Sequence, residues 1–156
     1  MFRNIIVPVD GSEPSQSAVA FAVRMAVEDG AKITFAHAVE VTKIIGMTSA
    51  SSIGPRFALD ASLEAGKEVL AEAQTQAKDA KIDAATELLE GDCVSSLLEL
   101  AKRIQADLIV VGSHGRGGIS RALLGSVAEG ILGRSLIPVL VTHAPKKPES
   151  VTLVAL

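Results

Sequence analysis

Five of the thirteen glycines of this 156-residue chain fall within the fifteen residues GSHGRGGISRALLGS, at 112–126. Glycine lets the backbone approach a ligand closely and adopt positive φ, and successive free N–H groups then form a concave site for an anion. The residues that follow are predicted to be helical, and a helix N-terminus adds about half a unit of positive charge. The segment therefore predicts a site for phosphate groups.

Polar side chains in two segments would complete such a site. Arg116 and Arg121 can neutralise phosphate oxygens, and Gly125-Ser126 combines a close backbone approach with a hydroxyl donor. Asp10 follows the first apolar run, where a carboxylate is suited to bind a ribose hydroxyl. Together these residues predict a nucleotide site. The structural alternatives are a tight turn with helix packing for the glycines, a helix cap for Asp10 and a solvated loop position for Arg116.

Three familiar nucleotide or hydrolase patterns are absent from the chain. There is no G-x-x-x-x-G-K-[ST] P-loop, no G-x-G-x-x-G after the first predicted strand and no G-x-S-x-G. A phosphoaspartyl switch is also disfavoured, because the last predicted strand ends in Thr142-His143 rather than in lysine. No residue pair besides Asp10 and His114 is suited to phosphoryl transfer, so no catalytic residue and no metal ligand is assigned.

Five short apolar runs predict the strands that position these residues. Four runs are nearly continuous, which is typical of parallel strands buried on both faces, whereas the third is more polar and predicts an edge strand. The runs are residues 4–9, 32–39, 84–90, 107–112 and 137–143.

Helical patterns lie between the runs. Ser12 is predicted to cap a first helix that ends at Gly30, and Asp92 to cap a third. A second helix is predicted over 57–80 and a fourth over about 120–135. This alternation predicts a doubly wound α/β fold, in which the loops after neighbouring strands 1 and 4 face one crevice.

Two segments fit none of these elements. Residues 41–56 are interpreted as a long mobile loop. The stretch 144–150 is interpreted as a linker, and the apolar end 151–156, VTLVAL, is expected either to add to a sheet edge or to fray. Residues 1–143 are accordingly predicted to form one domain.

The amino-acid composition disfavours some classes of function and indicates a cellular location. The net charge of −3 and the absence of Trp and Tyr disfavour a nucleic-acid binder. The single cysteine, Cys93, suits a reducing compartment and is interpreted as an inert core residue, although its place in a first helical turn would also suit a lowered pKa. His37 is interpreted as a structural histidine. No signal peptide and no run of about 18 apolar residues is recognised, so a cytoplasmic protein without membrane insertion is expected.

The spacing of the glycines resembles that of a known protein family. Gly112, Gly115 and Gly125-Ser126 follow the pattern G-x2-G-x9-G-[ST], which the ATP-binding universal stress proteins of the UspA superfamily carry. The segments IIVPVDGSEPS, LLGSVAEGIL and PVLV are also similar to that family. The resemblance covers about residues 2–143.

The resemblance implies a Rossmann-like or flavodoxin-like sheet of order 3-2-1-4-5 with ATP between strands 1 and 4. Asp10 is then expected on the ribose, the backbone of Ala38 on adenine, and Gly125 and Ser126 on phosphates. Mg²⁺ or Mn²⁺ would bridge those phosphates, although no carboxylate cluster demands it. The residues implied to bind ATP are Pro8, Val9, Asp10, Ala38, Gly112, Ser113, His114, Gly115, Arg116, Gly125, Ser126 and Val127.

The resemblance also implies a homodimer through strand 137–143. The tail beyond 144 departs from the usual ending of the family, and its residues 151–156 are expected to extend that interface or to swap between subunits. Three functions stay open at this stage. The first is a regulatory module that binds ATP in the stress response or in control of a partner such as a transporter. The others are a slow ATPase or phosphotransfer enzyme and a nucleotide-free interaction scaffold. The intact glycines favour the first two, because nucleotide-free members of the family typically lose them.

Overall fold

A computed structural model describes residues 1–49, 52–114 and 123–144. The strands are β1 (Asn4–Pro8), β2 (Lys32–Val39), β3 (Ala84–Glu90), β4 (Leu108–Gly112) and β5 (Val139–Thr142). The helices are α1 (Glu13–Asp29), α2 (Val41–Thr48), α3 (Pro55–Asp79), α4 (Cys93–Arg103) and α5 (Ser126–Arg134). The strands form one parallel sheet in the order β3-β2-β1-β4-β5, which confirms the predicted fold and strand order.

The central strand β1 explains why its sequence is apolar without alternation. Ile5 and Val7 pack into a core with residues of α1 and α3, whereas Ile6 packs on the opposite face with Leu97 of α4 and Ile131 of α5. Both faces of the strand are therefore buried, as the continuous run predicts. β3 lies at the sheet edge and carries exposed residues, which confirms the edge position predicted for this more polar run.

Helix ends follow the predicted capping residues. The Ser12 side chain accepts a hydrogen bond from the amide of Ser15 at the start of α1, and Gly30 ends that helix with φ 68°. Asp92 caps α4 by accepting from the amide of Ser95 at 2.8 Å. Only glycine adopts such a positive φ without strain, so Gly30 is a conformational stop.

The structure corrects the interpretation of residues 41–56 as a loop. Residues Val41–Thr48 form α2, and Pro55 already begins α3. Val41, Ile44 and Thr48 are the half-buried positions of α2, which packs against α3. Their spacing of three and four residues is the helical signal that composition obscured.

The predicted fourth helix starts too early. Leu123, Leu124 and Gly125 are described and are not helical, and α5 begins only at Ser126. Residues 115–122 and 145–156 lie outside the described residues, and with them the predicted linker after Ala144 and the predicted tail 151–156. Within the described parts of the chain, no helix is long and apolar enough to cross a membrane.

Candidate functional site

A cavity of about 410 Å³ opens beyond the carboxyl ends of β1 and β4. These strands are neighbours, with Ile5 paired to Leu108 and Ile6 to Ile109. Because they are parallel, the turns that follow them meet at the same edge of the sheet. The described residues that line the cavity are Pro8, Val9, Asp10, Ser15, Ala36, His37, Ala38, Cys93, Leu97, Val111, Gly112, His114, Leu123, Leu124, Gly125, Ser126, Val127 and Ala128.

Asp10 lies in a tight turn between β1 and α1. Its Oδ1 accepts from the amide of Ser12 at 2.9 Å, and its own amide donates to Oγ of Ser15 at 3.1 Å. The capping of α1 is therefore carried out by Ser12, while Asp10 braces the capping turn. The carboxylate is half-buried at the cavity wall, where the turn holds it in place.

Gly112 ends β4 against the first turn of α1. A Cβ at this position would lie 2.7 Å from the carbonyl carbon of Pro14 and 2.8 Å from the amide nitrogen of Ser15. Neither backbone atom can move aside as a flexible side chain would. Gly112 is thus required by the close approach of α1, and it lines the cavity as well.

Ser113 and His114 connect the strand end to its surroundings. Ser113 is 1% exposed, and its Oγ lies 3.0 Å from Nδ1 of His114. The carbonyl of His114 accepts from Oγ of Ser12 at 3.4 Å, which joins the β4 turn to the α1 cap. Nε2 of His114 is buried and has no hydrogen-bond partner among the described residues. A buried nitrogen without a partner is unusual, and here it belongs to a cavity residue, which fits a polar ligand.

The N-terminus of α5 forms another wall of the cavity. Its N-cap is Gly125, which has no side chain to bond the free amides of the first turn. The other two helices that begin at the cavity, α1 and α4, are capped by Ser12 and Asp92. Gly125, Ser126 and Val127 all line the cavity. The uncapped amides and the helix dipole make this wall the one best suited to an anion.

His37 reaches the strand end of β1 from β2. Its Nδ1 donates to the carbonyl of Val9 at 2.7 Å, which supports the interpretation of His37 as a structural histidine. The ring lies against α3, where a Cβ on Gly66 would come within 2.7 Å of its Cδ2. Ala38, the next residue on β2, lines the cavity as the resemblance implies.

Cys93 lines the cavity from the start of α4. Burial first, and then the carboxylates of Glu40, Asp92 and Asp10, raise the pKa of its thiol from 9.0 to about 11. The alternative of a lowered pKa is therefore wrong. The thiol is neutral near pH 7 and contributes an uncharged surface to the cavity.

Sequence reasoning missed several lining residues. They are Ser15, Ala36, His37, Cys93, Leu97, Val111, Leu123, Leu124 and Ala128. Leu123 and Leu124 carry the one usable signal, since they immediately precede Gly125 and are 65% and 40% exposed. Leu97 is placed there only by the packing of α4. Of the residues predicted to bind, Ser113 is buried and does not line the cavity. Gly115 and Arg116 lie outside the described residues, as does Arg121.

No group of three or more His, Cys, Asp and Glu side chains that could hold a metal occurs among residues 1–49, 52–114 and 123–144.

Comparisons with known proteins place this arrangement in context. The profile of the universal stress protein family matches residues 1–143. The universal stress protein MJ0531 of Methanocaldococcus jannaschii is 35% identical over 149 residues, which cover 94% of this chain and 85% of that protein.

Two solved structures share the architecture. A universal stress protein in complex with cAMP is 31% identical, with a TM-score of 0.66, and the match covers 92% of this chain and 98% of that one. The hypothetical protein MJ0577 has a TM-score of 0.80 at 21% identity, covering 94% of this chain and 99% of that one. At that identity the second similarity concerns the fold.

Proposed function

The chain belongs to the universal stress protein family, and we propose that it is an ATP-binding regulatory member of that family. The observation that carries the proposal is the cavity at the ends of β1 and β4, with Asp10 on one wall and the uncapped N-terminus of α5 on the other. Such a cavity offers a hydroxyl-binding carboxylate and an anion-binding helix end to the same molecule.

The size and chemistry of the cavity fit a nucleotide. Its volume of about 410 Å³ falls within the range of small-molecule sites. Pro8, Ala38 and Leu97 supply apolar surface at one side, suited to a base. The structure of a family member with cAMP supports nucleotide binding as such, and the G-x2-G-x9-G-S spacing supports a triphosphate.

Each residue then has a proposed role. Asp10 accepts from the ribose hydroxyls, and the backbone of Ala38 meets adenine. Ser126, with the free amides that follow Gly125, holds phosphate oxygens. The remaining proposed contacts are Pro8 and Val9 on the adenosine side and Gly112, His114, Gly115, Arg116 and Val127 near the ribose and phosphates. Mg²⁺ or Mn²⁺ would bind through those phosphates.

The proposed role is regulatory because a phosphoryl-transfer apparatus is not assembled among the described lining residues. Transfer requires a positioned base or water, usually with a metal. Bound ATP would instead change the charge at the site, so that a partner protein distinguishes the ATP-bound form from the ATP-free form. That partner would act in the stress response or be a controlled transporter. Cys93 is a free thiol, which suits the cytoplasm as the proposed location.

Mass analysis of the nucleotide released from freshly purified protein tests the ligand directly. We expect ATP, which would identify the base and the phosphate count together. Release of cAMP or AMP alone would replace ATP in the proposal. If purified protein holds none of these, the binding experiment below decides.

Thermal denaturation with added ATP tests the site. A ligand that binds only the folded state stabilises it by about 2.7 kcal/mol at a hundredfold excess over Kd. Gly125→Val should abolish the ATP-dependent rise in Tm. Gly133→Val is the matched control on the same helix, because no atom lies within 4 Å of the position its Cβ would occupy. No shift with wild type at millimolar ATP would overturn the proposal.

An assay of inorganic phosphate separates the regulatory proposal from a slow ATPase. We expect ATP to stay intact over hours with Mg²⁺ or Mn²⁺ present. Multiple turnovers that Gly125→Val abolishes would favour the enzyme instead.

Self-association through β5 is the second part of the proposal. β5 is the terminal strand of the described sheet and pairs with β4 alone there. Leu132 and Leu136 are nearby in sequence and are 43% and 101% exposed. An exposed strand edge beside apolar side chains favours pairing with a second copy. Sedimentation equilibrium should show a dimer that Val141→Pro dissociates, and a wild-type monomer at all concentrations would contradict it.

A further inference from the structure

Thr142 is the last residue of β5 and does not line the cavity. It is nevertheless hydrogen-bonded to the segments that carry the lining residues. Its hydroxyl donates to the carbonyl of Pro14 at 3.1 Å, and the carbonyl of Val111 lies 3.4 Å from the same oxygen. Pro14 belongs to the first turn of α1, which follows the turn that holds Asp10. The side chain of Thr142 therefore ties the Asp10 wall to the ends of β4 and β5.

The backbone of Thr142 is linked through hydrogen bonds to the N-terminus of α5, which forms another wall of the cavity. Its carbonyl accepts from the amide of Ser113 at 2.8 Å, and the carbonyl of Ser113 accepts from the amide of Gly125 at 2.7 Å. Gly125 is the N-cap of α5. Two hydrogen bonds thus connect Thr142 to the helix end proposed to hold phosphate.

Gly112 allows the first turn of α1 to pack closely against the ends of β4 and β5. It pairs with Thr142 across β4 and β5, and its missing side chain admits the backbone of Pro14. The first turn of α1 is therefore held against the two strand ends by close packing and by one directed hydroxyl. Thr142 bonds to that turn from β5, whereas Ser12, which caps α1 through the amide of Ser15, bonds to it from the adjoining segment.

We propose that Thr142 is a positioning residue of the ligand cavity, which sets the separation between the Asp10 turn and the α5 N-terminus. This inference rests on the proposed nucleotide site. A ligand that bridges the two walls needs both at a fixed separation, and displacement of either wall weakens its contacts. Affinity for the ligand then depends on a hydroxyl that never touches it.

Isothermal titration of ATP into Thr142→Val tests the inference, since valine keeps the shape and removes the donor. We expect ATP binding to weaken by about threefold to tenfold, in line with one lost hydrogen bond. Thr142→Ser should restore wild-type affinity. Thr86→Val, on the exposed far edge of the sheet, is the matched control and should bind as wild type does.

The readout separates positioning from stability. Titrations are made well below the Tm of every variant, where a residue that serves stability alone lowers Tm and leaves Kd unchanged. If Thr142→Val does not fold, Thr142→Ala takes its place. Equal Kd values for wild type and the hydroxyl-free variant, or no rescue by serine, would overturn the inference. Failure of wild-type protein to bind ATP would overturn the proposed function first, and the inference with it.

Discussion

Nδ1 of His37 donates to the carbonyl oxygen of Val9 at 2.7 Å, so a side chain of β2 holds the residue that follows β1. The amide of Val9 donates in turn to the carbonyl of Ala36 at 2.8 Å. Two hydrogen bonds from β2 therefore fix Val9, the lining residue that leads into Asp10. The ring has room to do this because Gly66 on α3 carries no side chain.

Replacement of His37 by phenylalanine tests this bond. An aromatic ring is kept, although a slightly larger one, but the carbonyl of Val9, a residue only 4% exposed, loses its donor. We expect a loss of about 1–3 kcal/mol in the free energy of unfolding, measured by urea denaturation. His143→Phe is the matched control at an exposed histidine and should change stability little. Equal stability of both variants would show that the bond contributes nothing.

Gly112→Ala tests the contact between β4 and α1. The added Cβ would lie 2.7 Å from backbone of Pro14, and neither side can yield without moving α1. We expect the free energy of unfolding to fall by about 1–3 kcal/mol and the affinity for ATP to fall as well. Gly133→Ala is placed in open space within α5 and should leave stability unchanged or raise it by up to about 1 kcal/mol. A variant Gly112→Ala as stable as wild type would contradict the close approach.

Cys93 should react slowly with thiol reagents in the native protein. Since burial and the neighbouring carboxylates raise the pKa of its thiol from 9.0 to about 11, the thiolate fraction at pH 8 is about a hundredfold lower than in the unfolded chain. The rate with a disulfide reagent should keep rising with pH beyond the point where the urea-unfolded protein levels off. Cys93→Ser provides the blank. Native and unfolded rates that level off at the same pH would contradict the raised pKa.

Asp92 should make stability depend on acid pH. Hydrogen bonds from the Ser95 side chain, and then from its backbone amide, lower the pKa of the carboxyl below 3.8, with a smaller effect from Arg134. A lowered folded-state pKa adds stability that is present above the unfolded value and is lost as pH falls through the folded one. The Tm advantage of wild type over Asp92→Asn should therefore shrink as the pH falls through the unfolded pKa of 3.8 and then through the lower folded-state pKa.

The control for that experiment is Glu99→Gln, an exposed carboxylate on the same helix. Its Tm difference from wild type should change less over the same interval. A constant gap between wild type and Asp92→Asn at all pH values would show that Asp92 acts through neutral cap geometry alone.

Much of the architecture was predictable because it depends on local patterns. The runs at 32–39 and 84–90 match β2 and β3 residue for residue, and Ser12, Gly30 and Asp92 bound their helices as capping chemistry requires. The interpretation of 41–56 as a loop is wrong because the glycines and serines of that segment conceal the helical spacing of Val41, Ile44 and Thr48, through which α2 packs on α3.

The amino-acid sequence alone was enough to predict the alternation of strands and helices, which follows from periodicity, and the family, which follows from the spacing of the glycines. The strand order was predicted from the resemblance to that family. Which residues from distant elements surround the cavity depends on tertiary packing and could not be predicted from local patterns. Leu97 reaches it through the packing of α4, and Thr142 is joined to Pro14 across 128 positions. Such contacts depend on how the helices pack against the sheet. That packing is determined by the side chains of the whole core together and not by any one segment.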